Sequence, residues 1–71
     1  MTRAPSPLSA RQRVIATLVA AGLSDKQIAA RLQIDTETVG YHVGRIAKAW
    51  QLDSQLNIRI QITHRVIQSA A

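Results

Sequence analysis

The stretch that decides the fold is residues 24–46, SDKQIAARLQIDTETVGYHVGRI. Ser24 with Gln27 has the pattern of a capping box at a helix start, and Asp35 is a second N-cap candidate about eleven residues later. Each candidate is flanked by two apolar residues placed as a hydrophobic staple, which are Leu23 and Ile28 for the first and Ile34 and Val39 for the second. Two helix starts this close together leave room for one short helix and a turn of about three or four residues. The spacing therefore predicts a helix-turn-helix, a motif whose second helix typically enters the DNA major groove.

Apolar residues at helical spacing extend the prediction on both sides of this motif. Ser9 with Gln12 indicates a preceding helix over residues 9–21, and the helices of the motif itself are expected at residues 25–32 and 36–50. The residues predicted to face the core are Val14, Ile15, Leu18 and Val19 in the first helix, Ile28, Ala29 and Leu32 in the second, and Val39, Val43, Ile46 and Trp50 in the third.

The segment after residue 53 fits two kinds of structure. Residues 57–63 alternate strictly between polar and apolar, which favours a strand, but the same segment also places apolar residues along one side of a helix. A lone strand would have no partner, so we expect a fourth helix over residues 54–68, begun by Asp53 or Ser54. Its apolar surface is wider than one core contact needs, which indicates a partner helix.

Length and composition fit one small domain. The 71 residues predict an all-α protein, a compact four-helix domain over residues 8–71 that follows a flexible arm at residues 1–7, where two prolines lie. The chain has no cysteine, so no disulfide or thiolate metal site is expected. His42 and His64 are isolated, and two imidazoles without further ligands do not predict a zinc site.

The charge is strongly basic. Nine Lys plus Arg against four Asp plus Glu give +5, and the sequence pI is about 11.3. Most of the basic residues are arginine, whose planar fork favours contacts with phosphate or guanine, so nucleic acid is the expected partner and an anionic membrane surface the alternative. No apolar run approaches the roughly 20 residues that span a bilayer, and the protein is expected to be cytoplasmic and nucleoid-associated. Neither paired carboxylates nor a nucleophile with a base is present, so we expect no enzyme and no cofactor.

A set of residues between positions 8 and about 54 stands in a fixed register. It consists of Leu8, Ser9 and Arg11, then Gly22, Leu23, Ser24, Lys26, Ile28, Ala29, Arg31, Leu32 and Ile34, then Thr38, Val39, His42 and Ile46. In this register the chain resembles the LuxR-type helix-turn-helix family, which includes small stand-alone members. The resemblance implies four helices, DNA binding by the third helix, and dimerisation through the fourth.

Several residues depart from the pattern of that family. Gln33 stands at its turn glycine and Gln51 at the glycine of its Lys-Leu-Gly-Val segment. We expect Gln33 to be accommodated by a turn that avoids positive φ. Gly40 replaces a basic residue, and Arg45 replaces an asparagine. Because Gly40 lacks a side chain that often touches DNA in the family, we expect the contact to fall to Tyr41, with Thr38 and Arg45.

The resemblance and the outward positions of the third helix together give the candidate contacts. The expected base contacts are Thr36, Glu37, Thr38, Val39, Tyr41 and Arg45, with Val39 shared between the staple and a thymine methyl group. The expected phosphate contacts are Arg11, Ser24, Lys26, Arg31, His42 and Lys48. The expected dimer interface is Leu56, Ile60, Thr63 and Ile67.

The sequence thus predicts a sequence-specific transcriptional regulator that binds double-stranded DNA as a small stand-alone homodimer, with a second regulatory protein as a further possible partner. The alternative is an antiactivator that uses the fourth helix to sequester a related regulator. An accessory protein for DNA packaging or recombination would share the same fold.

Overall fold

The protein is built from four helices. The computed structural model describes residues 8–70, and the side-chain surroundings of residues 8–68; the predicted N-terminal arm lies outside this range. The helices are α1 (Ala10–Ala20), α2 (Asp25–Leu32), α3 (Thr36–Ala49) and α4 (Ile58–Ala70). No strand occurs among the described residues. The predicted all-α, four-helix fold is confirmed, and residues 57–63 lie almost wholly in a helix.

One core joins all four helices. α1 contacts the other three helices and lies most extensively against α4, whereas α2 packs chiefly against α3. The side chains in the core are aliphatic, and no polar side chain is buried among the described residues. The buried set is Leu8, Ile15, Ala16, Val19, Ile28, Ala29, Val39, Ile46 and Ile62. Because α2 and α1 both hold α3, the angle at which α3 is presented to solvent is fixed by packing.

The predicted core positions are correct with one exception. In α2 and α3 every predicted inward residue is buried or half-buried. Val14 was expected to face inward in α1, but it is 45% exposed, so that prediction is wrong. The small side chain of Ala16 occupies the interior instead, next to Ile15. Val14 lines a shallow outer groove of α1 with Arg13.

The first two helices begin as their sequences predict. The Ser9 hydroxyl accepts from the Gln12 N–H at 3.2 Å, and the Gln12 side chain accepts from the Ser9 N–H at 3.1 Å. Ser24 and Gln27 repeat this capping box at 3.1 and 2.8 Å. Asp35 occupies the N-cap position of α3 with extended backbone, but its side chain makes no cap hydrogen bond. The start of α3 was therefore predicted correctly, whereas the side-chain cap was not.

The first three helices end in the same way. In each, a residue just beyond the helix donates its N–H to the carbonyl five residues back, as in a Schellman motif: Leu23 to Leu18, Ile34 to Ala29, and Leu52 to Ala47. The motif needs a residue in the left-handed region, and this residue is Gly22 (φ 96°) after α1, Gln33 (φ 59°) after α2 and Gln51 (φ 55°) after α3.

The two glutamines therefore adopt a conformation that glycine adopts without strain. The expectation that the turn at Gln33 avoids positive φ is wrong, because the hydrogen bond from Ile34 to Ala29 closes only with that conformation.

α4 begins four residues later than predicted. Neither Asp53 nor Ser54 is its N-cap; Asn57 is, since its side-chain oxygen accepts from the Ile60 N–H at 3.0 Å. Asp53 instead organises the preceding loop. Its side chain accepts from the Gln55 N–H at 2.8 Å, and the amide of Gln61 bonds both its N–H and its carbonyl, at 2.9 and 2.8 Å. The loop between α3 and α4 is thus fixed by a side chain from within α4.

Arg59 ties the first turn of α4 to the start of α2. Its guanidinium donates to the Asp25 carboxylate and to the Leu23 carbonyl. Both side chains of the ion pair are about one-third exposed, at 37% and 36%. Since Asp25 is the first residue of α2, this link holds α4 beside the helix-turn-helix.

Candidate nucleic-acid interface

The outer face of α3 is polar and open to solvent. Thr36, Glu37, Tyr41, Arg45 and Lys48 are exposed, and Thr38 and His42 are half-buried on the flank of the helix. Glu37, Tyr41 and Lys48 fall on the side opposite Val39 and Ile46, which are fully buried in the core. The helix thus presents hydrogen-bonding and charged groups outward while its apolar side is held by α1 and α2.

Val39 cannot serve as a base contact. Its exposed fraction is 0%, so the predicted contact with a thymine methyl group is wrong. The side chain is wholly part of the core that packs α2 against α3. The sequence allowed Val39 either to pack in the core or to contact a base, and only packing is compatible with its burial.

The end of α3 and the start of α1 together form a basic groove. Arg45, Lys48 and Ala49 line it from α3, and Gln12 lines it from the first turn of α1. No carboxylate among the described residues pairs with Arg45 or Lys48, so both cations are available to an anion. Arg11, also predicted as a phosphate contact, is exposed in the same turn of α1 as Gln12. Sequence reasoning missed Gln12, because its capping role gave no sign that it also borders α3.

The start of α2 offers a second group of candidate contacts. Ser24 and Lys26 are exposed. The Ser24 hydroxyl oxygen accepts from the Gln27 N–H, which leaves its own proton free to donate to a phosphate. Asp25 between them is paired with Arg59, and this pairing offsets a negative charge that would repel DNA. Arg31 is exposed in the last turn of α2, at the other end of the helix.

Two aromatic rings and a guanidinium lie together on α3. The Arg45 guanidinium carbon is 5.8 Å from the centroid of the Tyr41 ring. The Tyr41 ring meets the His42 ring edge-on, with centroids 5.6 Å apart and planes at 68°. His42 Nδ1 is buried and has no hydrogen-bond partner among the described residues. A phosphate contact by His42, as predicted, would therefore have to use Nε2.

A helix-turn-helix whose second helix is exposed, polar and flanked by cations is the architecture of a DNA-binding domain. The family model described as "Bacterial regulatory proteins, luxR family" matches residues 6–59, which is more than half of the chain. The chain therefore belongs to the luxR family of bacterial regulatory proteins, a family of DNA-binding transcription regulators rather than of enzymes. No curated protein and no solved structure matches the chain.

Two further findings concern the described residues alone. They contain no helix with the length and apolar character to cross a membrane. They also contain no group of three or more His, Cys, Asp or Glu side chains placed to hold a metal ion.

Proposed function

We propose that the protein is a sequence-specific transcriptional regulator that binds double-stranded DNA as a homodimer, with α3 in the major groove and the complex located on the nucleoid. The observation that carries this proposal is the outer face of α3. It is polar and exposed, and it ends in a groove lined by Arg45 and Lys48, neither of which pairs with a carboxylate of the described residues. A major groove admits a helix, and DNA phosphates lie on both of its walls.

The contacts divide by chemistry. The base-reading set is Thr36, Glu37, Thr38, Tyr41 and Arg45, whose side chains can donate to or accept from base edges. The phosphate-binding set is Arg11, Ser24, Lys26, Arg31, His42 and Lys48. Val39 belongs to neither set because it is buried. Phosphate contacts supply salt-dependent affinity, and base contacts supply the choice of sequence.

An apolar ridge formed by α4 and by Leu56, which lies in the loop before it, supports the proposed homodimer. Leu56, Ile60 and Ile67 are 61%, 66% and 59% exposed, and Thr63 is half-buried beside them. Leaving large aliphatic side chains in water is unfavourable, and a second α4 packed against this ridge would cover them. A two-fold dimer would then present two copies of α3 to two half-sites one helical turn apart.

Selection of bound duplexes from random DNA tests the regulator proposal. A dimeric reader predicts enrichment of a pseudo-palindrome whose half-sites lie about 10 base pairs apart, centre to centre. A single asymmetric half-site would contradict the dimer and leave DNA reading intact. Failure to enrich any sequence would contradict the proposed function.

The dimer itself is tested by mass measurement in solution. Ile60→Asp should shift the protein from dimer to monomer, because a carboxylate would be buried unpaired in the interface. Val14→Asp is the matched control: Val14 is also an exposed aliphatic residue, but it lies on α1. A monomeric native protein, or equal effects of the two variants, would contradict the interface.

The α4 ridge also supports a second candidate, an antiactivator that pairs with a related regulator through the same residues. The two candidates differ in their need for DNA. A regulator should be retained on heparin or non-specific DNA and released by salt, whereas an antiactivator requires neither interaction.

A further inference from the structure

The side chains of Tyr41 and Arg45 contact each other on the outer face of α3. Tyr41 is 61% exposed on the outer face of α3, and Arg45 lies one turn further along with its guanidinium over the ring, 5.8 Å from the centroid. This distance is within the range of a cation–π contact. A large aromatic ring exposed to solvent on the surface that faces DNA adds little stability to the free domain. Its role must therefore lie in its contact with Arg45.

The Tyr41 ring is itself held in place. A helix excludes one of the three χ1 rotamers of tyrosine. The edge-on contact with the His42 ring restricts it further, since His42 is half-buried with Nδ1 inside the domain. The packed domain thus restrains His42, the His42 ring restrains the Tyr41 ring, and the Tyr41 ring restrains the Arg45 guanidinium. A flexible arginine is restrained by a surface that the fold keeps fixed.

Restraint of this kind favours base reading over phosphate binding. A free arginine loses much side-chain entropy when it is immobilised at an interface, and an arginine already stacked on a ring loses less. Phosphates accept from many directions and need little orientation, whereas base edges are planar and directional. Beside the pair, a Cβ added at Gly40 or Gly44 would meet nothing within 4 Å, so this side of the helix is open for close approach to a groove.

The chemistry of the guanidinium selects the base. Arginine carries five N–H donors and no acceptor. In the major groove guanine presents two adjacent acceptors, N7 and O6, whereas adenine pairs an acceptor with a donor, and cytosine presents a donor. Thymine offers one acceptor next to a methyl group. Guanine alone matches two parallel donors of one guanidinium.

We propose that Tyr41 is a positioning residue that holds Arg45 for a bidentate contact with a guanine in each half-site. This inference rests on the proposed function and adds to it the identity of one base and the residue that makes its reading efficient. Arg45 is the residue that touches the base, and Tyr41 acts through Arg45.

The test uses the full chain and a duplex enriched from random DNA, with each guanine in turn replaced by 7-deazaguanine, which lacks the N7 acceptor. For the native protein one guanine per half-site should be sensitive, with affinity falling about tenfold. Arg45→Met removes every hydrogen-bond donor at this position and should abolish this sensitivity. Tyr41→Leu removes the ring and should reduce the sensitivity several-fold without changing the salt slope, whereas Tyr41→Phe keeps the ring and should keep the native sensitivity at this guanine.

Three results would overturn the inference. Sensitivity that survives Arg45→Met means that another residue reads the guanine. Equal sensitivity in Tyr41→Leu and native protein means that Tyr41 does not position Arg45. If substitution of Arg45 weakens affinity equally for all duplexes and lowers the salt slope, Arg45 binds phosphate. In each of these cases the protein still binds DNA specifically, so the proposed function stands; absence of any enriched duplex removes both. Circular dichroism of Tyr41→Leu checks that the exposed substitution leaves the fold unchanged.

Discussion

The outer faces of α3 and α4 differ in chemistry although both helices bury an apolar side in the same core. On α3 the outward residues are polar or charged, with Tyr41 as the large apolar exception. On α4 the outward residues include Ile60 and Ile67, which leave aliphatic surface in water. The contrast teaches that a domain of this size can expose two surfaces of different chemistry, one polar and cationic and one aliphatic.

The two regions also differ in how their structure is determined. The helix-turn-helix is specified by neighbours in sequence, through the capping box of Ser24 and the Schellman hydrogen bond that Ile34 donates. The fourth helix is also tied to the rest of the domain by contacts at longer range, namely Arg59 with Asp25, 34 residues apart, and Gln61 with Asp53, eight residues apart. Changes in the two regions should therefore have different consequences.

The largest expected effect is on the attachment of α4. Ile62 is fully buried, and Ile62→Ala should lower the free energy of unfolding by about 2–5 kcal/mol, which is a large part of the stability of a small domain. Ile60, two residues away and 66% exposed, provides the control. Ile60→Ala should change stability by less than about 0.5 kcal/mol in the monomer. Urea denaturation at low protein concentration measures both, and equal losses would show that the burial of α4 is misassigned.

On the α3 side the next effect is on DNA affinity. Lys48→Ala should weaken binding about tenfold at low salt, equally for all duplexes, and reduce the slope of log K against log salt by about 1, because one phosphate contact is lost. Arg65→Ala is the matched control, since it also removes one positive charge but lies on α4, over Trp50 at 5.1 Å. Fluorescence anisotropy across a salt series distinguishes them. Identical slopes for the two variants would mean that only net charge matters.

A smaller effect concerns the helix ends. Gln33→Gly should stabilise the domain by about 1 kcal/mol, because relief of the left-handed conformation outweighs the added freedom of the unfolded chain. Gln51→Gly should act in the same direction at the end of α3. Gly22→Ala is the reverse control and should destabilise, since φ there is 96°. Thermal melts report the sign, and a lower melting temperature for Gln33→Gly would contradict the strain.

The smallest effect is on the link between the two regions. Arg59→Gln should cost less than about 1 kcal/mol of stability, because its ion pair with Asp25 is partly exposed to solvent. A double-mutant cycle with Asp25→Asn should give a coupling of about 0.2–1 kcal/mol that falls as salt is added. Zero coupling at low salt would show that the ion pair does not contribute to stability.

An interaction could be predicted from the sequence when its partners lie close together along the chain, and could not when they lie far apart. The capping boxes at Ser9 and Ser24 were predictable because donor and acceptor lie three residues apart. The bonds of Arg59 were not, since they join residues more than thirty positions apart and no local pattern marks them. The late start of α4 has a nearer cause. Asn57 caps the helix through the Ile60 N–H, three residues away, while Asp53, the expected cap, is bonded in the preceding loop by the amide of Gln61.

The candidate site was predictable to a similar degree. Helical spacing placed Tyr41 and Arg45 on one face, four residues apart, where side chains of a helix meet. The same spacing left Val39 with two possible roles, because it lies at the border between the staple and the outer face, and only packing against α2 resolved its role. The position of Gln12 beside Lys48 depends on how α1 crosses α3, which no pattern within one helix contains.

The most direct test of the central claim, that the outer face of α3 is the surface that meets DNA, is a map of amide chemical shifts of the full chain on addition of an enriched duplex. The account predicts the largest changes at Glu37, Tyr41, Gly44, Arg45 and Lys48, with smaller changes at the start of α2. Unchanged α3 amides together with large shifts confined to residues 60–67 would contradict it.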